Sequence, residues 1–208
     1  MTNVLIVDDE RLVRELFTRY IHSASDRYAL VEAIGDASNA EMFCLNGGVD
    51  LVLMDVCTAK GSSGLLAAEK IKKRFPQVKI IIVTSAPEFS FLARAKALGA
   101  ESFWYKDVCE KELIEVMDKT MEGESVYPER TPEVSIGLAS SYEFTPKEME
   151  VLYWLAEVVS TRNIAGKMGI SEDGVNEHLK HLKEKTGCAS KTELAILSAG
   201  ARLVLPKY

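Results

Sequence analysis

Apolar runs of strand length recur along the first half of the chain, separated by segments with helical spacing. Four such runs cover residues 4–7, 51–54, 78–83 and 102–105. Helical periods cover residues 11–24, 37–45, 64–75, 89–98 and 108–120. Continuous apolar runs that alternate with helices are typical of parallel strands covered on both faces. The pattern therefore predicts five β/α units in a doubly wound, five-stranded parallel sheet up to about residue 120.

Between residues 122 and 142 the periodic pattern is lost. The segment is rich in Gly, Ser, Pro and Glu, and Pro128 and Pro132 interrupt any helix. Such a composition is typical of a connection between domains. The predicted organisation is therefore a first domain over residues 1–121, a linker over residues 122–142 and a second domain over residues 143–208.

The second domain is predicted to be all helix, with well-marked helix ends. Thr145 and Glu148 form a capping box with a proline at the first helical position. Ser171 is placed to cap a longer helix that ends near Gly187, and Gly169 supplies the turn before it. A short helix, a glycine-containing turn and a longer helix together form the layout of a helix-turn-helix.

Acidic residues close two of the apolar runs. Asp8 and Asp9 directly follow the first run, and Asp55 directly follows the second. The carboxyl ends of parallel strands meet at one edge of a sheet, so the three carboxylates are expected to converge. Converging carboxylates need a cation, and a hard ion such as Mg2+ takes oxygen ligands. One carboxylate oxygen would then stay free to act as a nucleophile towards phosphorus.

Two further runs end in the groups that phosphoryl chemistry requires. Thr84 follows the third run and offers a hydroxyl, and Lys106 follows the fourth and offers a point charge suited to phosphate. Either residue alone says little, and a lone acid after a strand is most often a helix cap. The order of acid pair, acid, hydroxyl and lysine at successive strand ends is far more specific than any of its parts.

Composition sets the outer limits of the interpretation. With 208 residues, 47% of them apolar, the chain is long enough for one mid-sized domain and a small one, and its net charge is -6. The sequence has no apolar stretch of membrane-spanning length and no signal-peptide pattern, which predicts a cytoplasmic protein with no membrane partner. The four cysteines are scattered without a C-x-x-C pair, which favours reduced thiols over zinc or a disulfide framework.

On these residues, the first domain resembles the receiver domain of bacterial two-component response regulators, which has a flavodoxin-like fold. The resemblance implies that Asp55 accepts a phosphoryl group from a sensor histidine kinase and that Mg2+ is the cofactor. The implied metal set is Asp8, Asp9, Asp55 and Cys57. The implied phosphoryl-contacting and switch set is Thr84, Ser85, Phe103 and Lys106.

The second domain resembles the LuxR-type DNA-binding domain of NarL/FixJ response regulators. The residues at that family's positions are Phe144–Glu148, Glu150–Leu152, Ile164, Ala165, Ile170–Glu172, Val175, His178, Lys185, Gly187, Thr192 and Glu193. The resemblance implies a transcription factor, not an enzyme, that binds promoter DNA and forms a homodimer on activation, with RNA polymerase as a further candidate partner. The implied DNA-binding residues are Thr161, Arg162, Asn176, Glu177, Lys180, Lys183 and Lys191.

The predicted recognition helix departs from the family pattern. Gly174 and Asn176 stand where the family usually has threonine and lysine, and Glu177 is an acid at a position that faces bases. Residues 142–208 carry nine basic and nine acidic side chains, so the second domain is neutral rather than basic. The electrostatic support for DNA binding is a basic cluster formed by Lys180, Lys183 and Lys185, with Arg162 and Lys191 nearby.

The loop after Asp55 also departs from the family pattern. Receivers commonly place a Met-Pro pair soon after the acceptor, whereas this loop has no proline before Gly64. We expect the difference to alter kinase recognition and the lifetime of the phosphoryl group, rather than to abolish the chemistry.

Three other interpretations stay open. The first is a phosphatase or phosphotransferase with a nucleophilic aspartate, although haloacid dehalogenase-type enzymes have a second acid two residues after the nucleophile, where this chain has Cys57. The second is a helix-turn-helix that makes only protein contacts. The third is a regulator that works independently of phosphorylation.

Overall fold

The computed structural model describes residues 1–106, 110–157 and 160–204, without the side chains of residues 110 and 111. Residues 108 and 109, the start of the fifth predicted helix, and residues 205–208, the end of the second predicted domain, lie outside the described residues. The chain divides into two compact units, and the first gives way to the second between Glu129 and Arg130.

The first unit is a five-stranded parallel sheet with helices on both faces. Its strands are β1 (Thr2–Val7), β2 (Tyr28–Ile34), β3 (Leu51–Asp55), β4 (Lys79–Thr84) and β5 (Ser102–Tyr105). Its helices are α1 (Arg11–Ser23), α2 (Ala40–Leu45), α3 (Gly64–Arg74), α4 (Ser90–Leu98) and α5 (Glu110–Glu122). The strand order is β2-β1-β3-β4-β5, and every pairing is parallel. The predicted doubly wound sheet is confirmed.

The apolar runs form the centre of this unit. Residues Leu51–Asp55 of β3 are all buried, as a strand covered on both faces requires. On one face, Phe17 of α1 and Met117 of α5 pack against Val4 and Leu53 of the sheet. The chain runs from β1 outward to β2 and then back past β1 to β3, so the strand order reverses next to β1. In open α/β sheets, ligands bind outside the carboxyl ends of the strands at such a reversal.

The second unit contains a short antiparallel hairpin and four α-helices among its described residues. The hairpin strands are β6 (Ser135–Ile136) and β7 (Ala139–Ser140), and the helices are α6 (Pro146–Glu157), α7 (Thr161–Met168), α8 (Glu172–Thr186) and α9 (Lys191–Gly200). The helix ends follow the sequence signals. Ser171 caps α8 through the Gly174 N–H, and Gly169 and Gly187 end α7 and α8 with φ values of 65° and 74°. The helix-turn-helix layout predicted from these residues is present.

The hairpin lies inside the segment whose composition predicts a linker. Ile136 and Ala139 are buried in the core of the second unit, and the Leu138 N–H donates to the Thr186 carbonyl over 2.9 Å. Gly137 has a φ of 60°, and a Cβ there would lie 3.1 Å from the Thr186 carbonyl carbon and closer still to its oxygen. Two-residue strands are too short to show a period, which is why the pattern did not reveal this part of the fold.

No helix among the described residues is both long enough and apolar enough to cross a membrane.

Candidate functional site

Three carboxylates meet at the carboxyl edge of the sheet, as the sequence order predicts. Asp8 and Asp9 follow β1, and Asp55 ends the neighbouring strand β3, where Val7 pairs with Met54. One carboxylate oxygen from each of the three residues lies within 4.8 Å of the other two. Asp8 and Asp55 are buried and Asp9 is exposed. The cluster therefore combines two acids held inside the protein with one that faces solvent.

Lys106 completes this cluster. It follows β5, and its backbone N–H donates to the carbonyl of Thr84 at the end of β4, over 3.0 Å. Its Nζ lies 2.6 Å from Asp8 Oδ2 and 3.0 Å from Asp55 Oδ2. The side chain of Lys106 is only 8% exposed. The structure thus brings Lys106 into direct contact with Asp8 and Asp55, and Asp9 lies close to both acids.

The buried charges perturb one another. Burial raises the pKa of Asp55 from 3.8 to about 7, against the opposing effect of Lys106. Burial also raises the pKa of Asp8. Burial disfavours the charged form of Lys106, but Asp55 and Asp8 outweigh it and raise the pKa of the ammonium. The pKa values of both buried acids stay raised although Lys106 lies beside them, so one lysine does not compensate for burying two carboxylates. A further cation bound at this edge of the sheet would stabilise their ionised forms.

The donor set suits a hard divalent cation. Carboxylate oxygens are the ligands that Mg2+ prefers, and the exposed Asp9 leaves a side open to water and phosphate. The outer oxygens of the cluster are held in place, because the Glu10 N–H donates to Asp8 Oδ1 over 2.9 Å and the Val56 N–H donates to Asp55 Oδ1 over 2.7 Å. Residues of this type at this spacing fit the predicted metal.

The thiol of Cys57 is not part of the carboxylate cluster of Asp8, Asp9 and Asp55, although Cys57 is one of the described residues. Its backbone forms a bridge to Ser63 across the loop that joins β3 to α3. A thiolate is a soft ligand that suits other metals than Mg2+. If Cys57 contributes to the predicted metal set, it does so through its backbone carbonyl oxygen.

The hydroxyl and aromatic residues of the predicted set lie on β4 and β5. Thr84 is buried at the end of β4, between the strands that carry Asp55 and Lys106, and the half-buried Ser85 follows it. Phe103 on β5 is 1% exposed and packs edge-on against Tyr105, with ring centroids 5.0 Å apart. Phe103 is therefore a core aromatic in this structure.

Tyr127 packs beside Phe103 and was not expected to belong to the site. The rings of Phe103 and Tyr127 lie 6.3 Å apart, and the Tyr127 hydroxyl donates to the Ala100 carbonyl over 2.8 Å. The Phe103 N–H donates to the carbonyl of Val126 over 2.8 Å, so the segment after α5 covers the free edge of β5. An aromatic residue within a stretch of linker composition was the one available signal for this contact.

The face of α8 predicted to read DNA is exposed. Val175, Leu179 and Leu182 bury one side of α8 in the core of the second unit, and Asn176, Glu177 and Lys180 are exposed on the other. The other predicted DNA-binding residues are the exposed Arg162, near the start of α7, and the half-buried Thr161, Lys183 and Lys191. The structure places all seven on α7, α8 and the start of α9.

Lys185 has a structural role that removes it from the basic cluster. Its Nζ lies 2.8 and 3.0 Å from the two carboxylate oxygens of Glu148, which is 3% exposed, and 2.9 Å from the Glu143 carbonyl. The same carboxylate closes the predicted capping box, because it accepts from the Thr145 N–H over 2.7 Å. The expectation that Lys185 adds to a DNA-facing charge is therefore wrong, since its charge is used to hold α8 against the start of α6.

Comparison with known proteins defines the class. Residues 4–118 match the family described as the response regulator receiver domain, and residues 143–198 match the family described as bacterial regulatory proteins of the luxR family. The chain therefore belongs to the two-component response regulators that join a receiver domain to a LuxR-type DNA-binding domain. This is a class of transcription regulators and not of enzymes.

Particular relatives cover nearly the whole chain. The response regulator protein VraR of Staphylococcus aureus is 31% identical over 212 residues, which cover 97% of this chain and 98% of VraR. A solved structure of RcsB from Salmonella typhimurium covers 96% of this chain and 100% of its own, with a TM-score of 0.62 and 21% identity. A structure of two RcsB dimers bound to two parallel DNAs gives a TM-score of 0.65 at 21% identity, over 95% of this chain and 98% of its own. At this identity the RcsB structures show a shared fold.

Proposed function

We propose that Asp55 accepts a phosphoryl group from a sensor histidine kinase and that this controls dimerisation and DNA binding. The observation that carries the proposal is the buried Asp55 carboxylate, 3.0 Å from Lys106 Nζ and clustered with Asp8 and Asp9. The proposed metal ligands are Asp8, Asp9, Asp55 and the backbone carbonyl of Cys57. When bound there, Mg2+ would neutralise charge on the phosphoryl oxygens.

The proposed reaction at Asp55 is a phosphoryl transfer. One Asp55 oxygen forms a bond to phosphorus while the bond from phosphorus to the kinase histidine nitrogen breaks, and that nitrogen leaves with the electron pair. The Val56 N–H fixes the carboxylate through Oδ1 during this exchange. Thr84 and Ser85 are proposed to contact the transferred oxygens because β4 ends beside β3. Lys106 is proposed to do so because its Nζ already lies 3.0 Å from Asp55 Oδ2.

The proposed consequence is a rearrangement around α4, β5 and α5. Thr84 would be drawn towards the phosphoryl oxygens, and Phe103 on the neighbouring strand would repack. Because Phe103 is already buried against Tyr105 and Tyr127, a movement of its ring must also disturb the segment that carries Tyr127. The changed surface is the proposed basis of homodimer formation.

The proposed output is binding to promoter DNA in the cytoplasm, with α8 in the major groove. We propose that Asn176, Glu177 and Lys180 face the bases, while the remaining contacts come from Thr161, Arg162, Lys183 and Lys191. The RcsB dimers bound to DNA support this proposal by analogy of fold. RNA polymerase is a further proposed partner. In functional terms, we propose that the first unit receives the signal and that the second unit, which includes the β6–β7 hairpin, delivers it.

Labelling with acetyl phosphate tests the acceptor. In the presence of Mg2+, the wild-type chain should gain one phosphoryl group by mass spectrometry, and Asp55→Ala should gain none, because Asp8 and Asp9 are proposed metal ligands that are not placed for attack. Asp9→Ala should need more Mg2+. Asp26→Ala, which removes an exposed acid elsewhere in the same unit, is the control and should label normally. Full labelling of Asp55→Ala would refute the assignment.

One observation favours a second function. The second domain is neutral in sequence, and Lys185 is occupied by Glu148, so the charge available to DNA is smaller than the sequence suggests. A helix-turn-helix that contacts a protein partner would need no basic surface. Binding to DNA from the chain's own upstream region separates the two functions, because only a DNA-binding domain would shift that fragment.

A further inference from the structure

The loop that follows the acceptor is tied to the turn after β2 by a chain of hydrogen bonds. The Ala37 N–H donates to Thr58 Oγ1 over 3.1 Å, and Thr58 Oγ1 and Ser62 Oγ lie 2.7 Å apart. Ser62 Oγ in turn donates to Asp36 Oδ1 over 2.8 Å. We call the side chains of Asp36, Thr58 and Ser62 the loop latch.

The latch is anchored on both sides. Asp36 Oδ1 also accepts from the N–H and the hydroxyl of Ser38, over 2.9 and 2.6 Å, and Asp36 Oδ2 lies 3.4 Å from Lys60 Nζ. Hydrogen bonds from Ser38 and Ser62 hold the pKa of Asp36 well below its usual value, so this carboxylate is ionised at neutral pH. A charged acceptor strengthens the hydrogen bonds that it receives.

The latch offsets strain in the loop that it closes. Lys60 adopts a φ of 59° and Gly61 a φ of 70°, so two successive residues are left-handed and one of them is not glycine. Such a conformation persists where its surroundings hold it. Ser62 does so twice, because its carbonyl accepts from the Thr58 N–H over 3.1 Å while its hydroxyl reaches Asp36.

The segment held by the latch begins next to Asp55. The Val56 carbonyl accepts from the Gly64 N–H over 2.9 Å, and the Thr58 N–H donates to Ser62, so Cys57 is fixed between two backbone hydrogen bonds. Thr58 is 6% exposed, although it lies in a loop. This loop has no proline before Gly64, and the hydroxyl chain holds it together with backbone hydrogen bonds, among them the one from the Ala59 N–H to the Gly35 carbonyl over 3.0 Å.

We propose that Asp36, Thr58 and Ser62 are positioning residues for the cation site, because they hold in place the loop that carries the backbone of Cys57, two residues after Asp55. This inference rests on the proposed function, in which the Cys57 carbonyl is a metal ligand. The latch residues are not among the proposed metal ligands or the proposed phosphoryl-contacting residues. Its loss should therefore weaken Mg2+ binding without removing the acceptor.

The test compares two neighbouring serines. Ser62→Ala breaks the latch, whereas Ser63→Ala removes the hydroxyl that caps α3 through the Leu66 N–H, over 3.4 Å, and leaves the latch intact. Mg2+ binding is measured by titration calorimetry, and the Mg2+ dependence of acetyl phosphate labelling is measured in parallel. Ser62→Ala should raise the Mg2+ concentration for half-maximal binding and labelling roughly two- to tenfold, the effect of losing one net hydrogen bond.

At saturating Mg2+, Ser62→Ala should still label fully, and Ser62→Thr, which keeps the hydroxyl, should restore the wild-type Mg2+ dependence. Asp36→Asn should resemble Ser62→Ala, since it weakens the acceptor of the same chain. Equal Mg2+ dependence in wild type and Ser62→Ala, or an equal shift in Ser63→Ala, would overturn the positioning role. A wild-type chain that fails to label at any Mg2+ concentration would instead overturn the proposed function.

Discussion

Gly64 lets the loop pass directly over the backbone of the acceptor, and adding a single methyl group there tests that geometry. A Cβ at position 64 would lie 2.8 Å from the Asp55 carbonyl carbon, closer still to its oxygen, and 3.1 Å from Met54 Cγ. The added methyl group would therefore clash with the backbone of β3, a central strand whose residues are all buried. For Gly64→Ala to fold, the peptide of Asp55 and the start of α3 must separate by more than about 1 Å, an overpacking that costs about 1–3 kcal/mol or more.

The displacement should also reach the chemistry. Asp55 Oδ2 lies 3.0 Å from Lys106 Nζ. If Asp55 moves away from Lys106 and from the other carboxylates, the nucleophile is misplaced. A misplacement of about 1 Å can cost on the order of a hundredfold in rate. We therefore expect Gly64→Ala to unfold at lower urea concentration than wild type and to label with acetyl phosphate at least tenfold more slowly. Labelling is to be measured at a temperature where the variant is folded by circular dichroism.

Gly166→Ala is the matched control for this change. A Cβ at Gly166 meets nothing within 4 Å, and the residue lies inside α7, where alanine is preferred by about 1 kcal/mol. This variant should be as stable as wild type or more so, with unchanged labelling. A Gly64→Ala protein with wild-type stability and labelling rate would show that the loop does not approach Asp55 as described.

Three further outcomes follow from the charges. Lys185→Met should lower the free energy of unfolding, measured by urea titration, by about 3 kcal/mol, because it leaves the Glu148 carboxylate buried without its partner. Lys180→Met, at an exposed position of the same helix, is the control and should change the free energy of unfolding by less than about 0.5 kcal/mol. Without divalent ions, Asp55→Asn should be more stable than wild type, because burial raises the pKa of Asp55 to about 7 and the wild-type chain loses stability as this acid ionises. The margin should grow from about pH 4 to about pH 7 and reach about 4 kcal/mol, since one pKa unit corresponds to about 1.4 kcal/mol. A constant margin over this range would contradict the buried charge. Asn176→Lys should strengthen binding to unrelated DNA, measured by fluorescence anisotropy. It should also steepen the dependence of the logarithm of affinity on the logarithm of salt concentration by about one unit of slope. No change in affinity or in slope would favour a protein-binding role for α8.

The sheet could be predicted because its central strands are continuous apolar runs that end in informative residues. The pattern predicts five strands but does not locate β2, since Tyr28–Ile34 lies at the edge of the sheet, is only partly buried and includes the exposed Glu32. The helix predicted over residues 37–45 is a short 3-10 turn at Ala37–Asn39 followed by α2. Short or half-exposed elements bury too little apolar surface to show a clear period.

The candidate site could be predicted as far as strand ends determine it. Asp8, Asp9, Asp55 and Lys106 converge because parallel strands place successive carboxyl ends at one edge. Contacts between distant segments could not be predicted in the same way. The pairing of Lys185 with Glu148 spans 37 residues, and the contact of Ser62 with Asp36 spans 26. Both depend on side-chain geometry that no local pattern encodes.

Phosphorylation-dependent DNA binding is the most direct test of the proposed function. Binding of the wild-type chain and of Asp55→Asn to DNA from its own upstream region should be measured by fluorescence anisotropy, with and without acetyl phosphate and Mg2+, at one fixed salt concentration. We expect the phosphodonor to increase the affinity of the wild-type chain at least tenfold and to leave Asp55→Asn unchanged. Equal affinity of the wild-type chain in both conditions, or an equal increase in Asp55→Asn, would contradict control of DNA binding through Asp55.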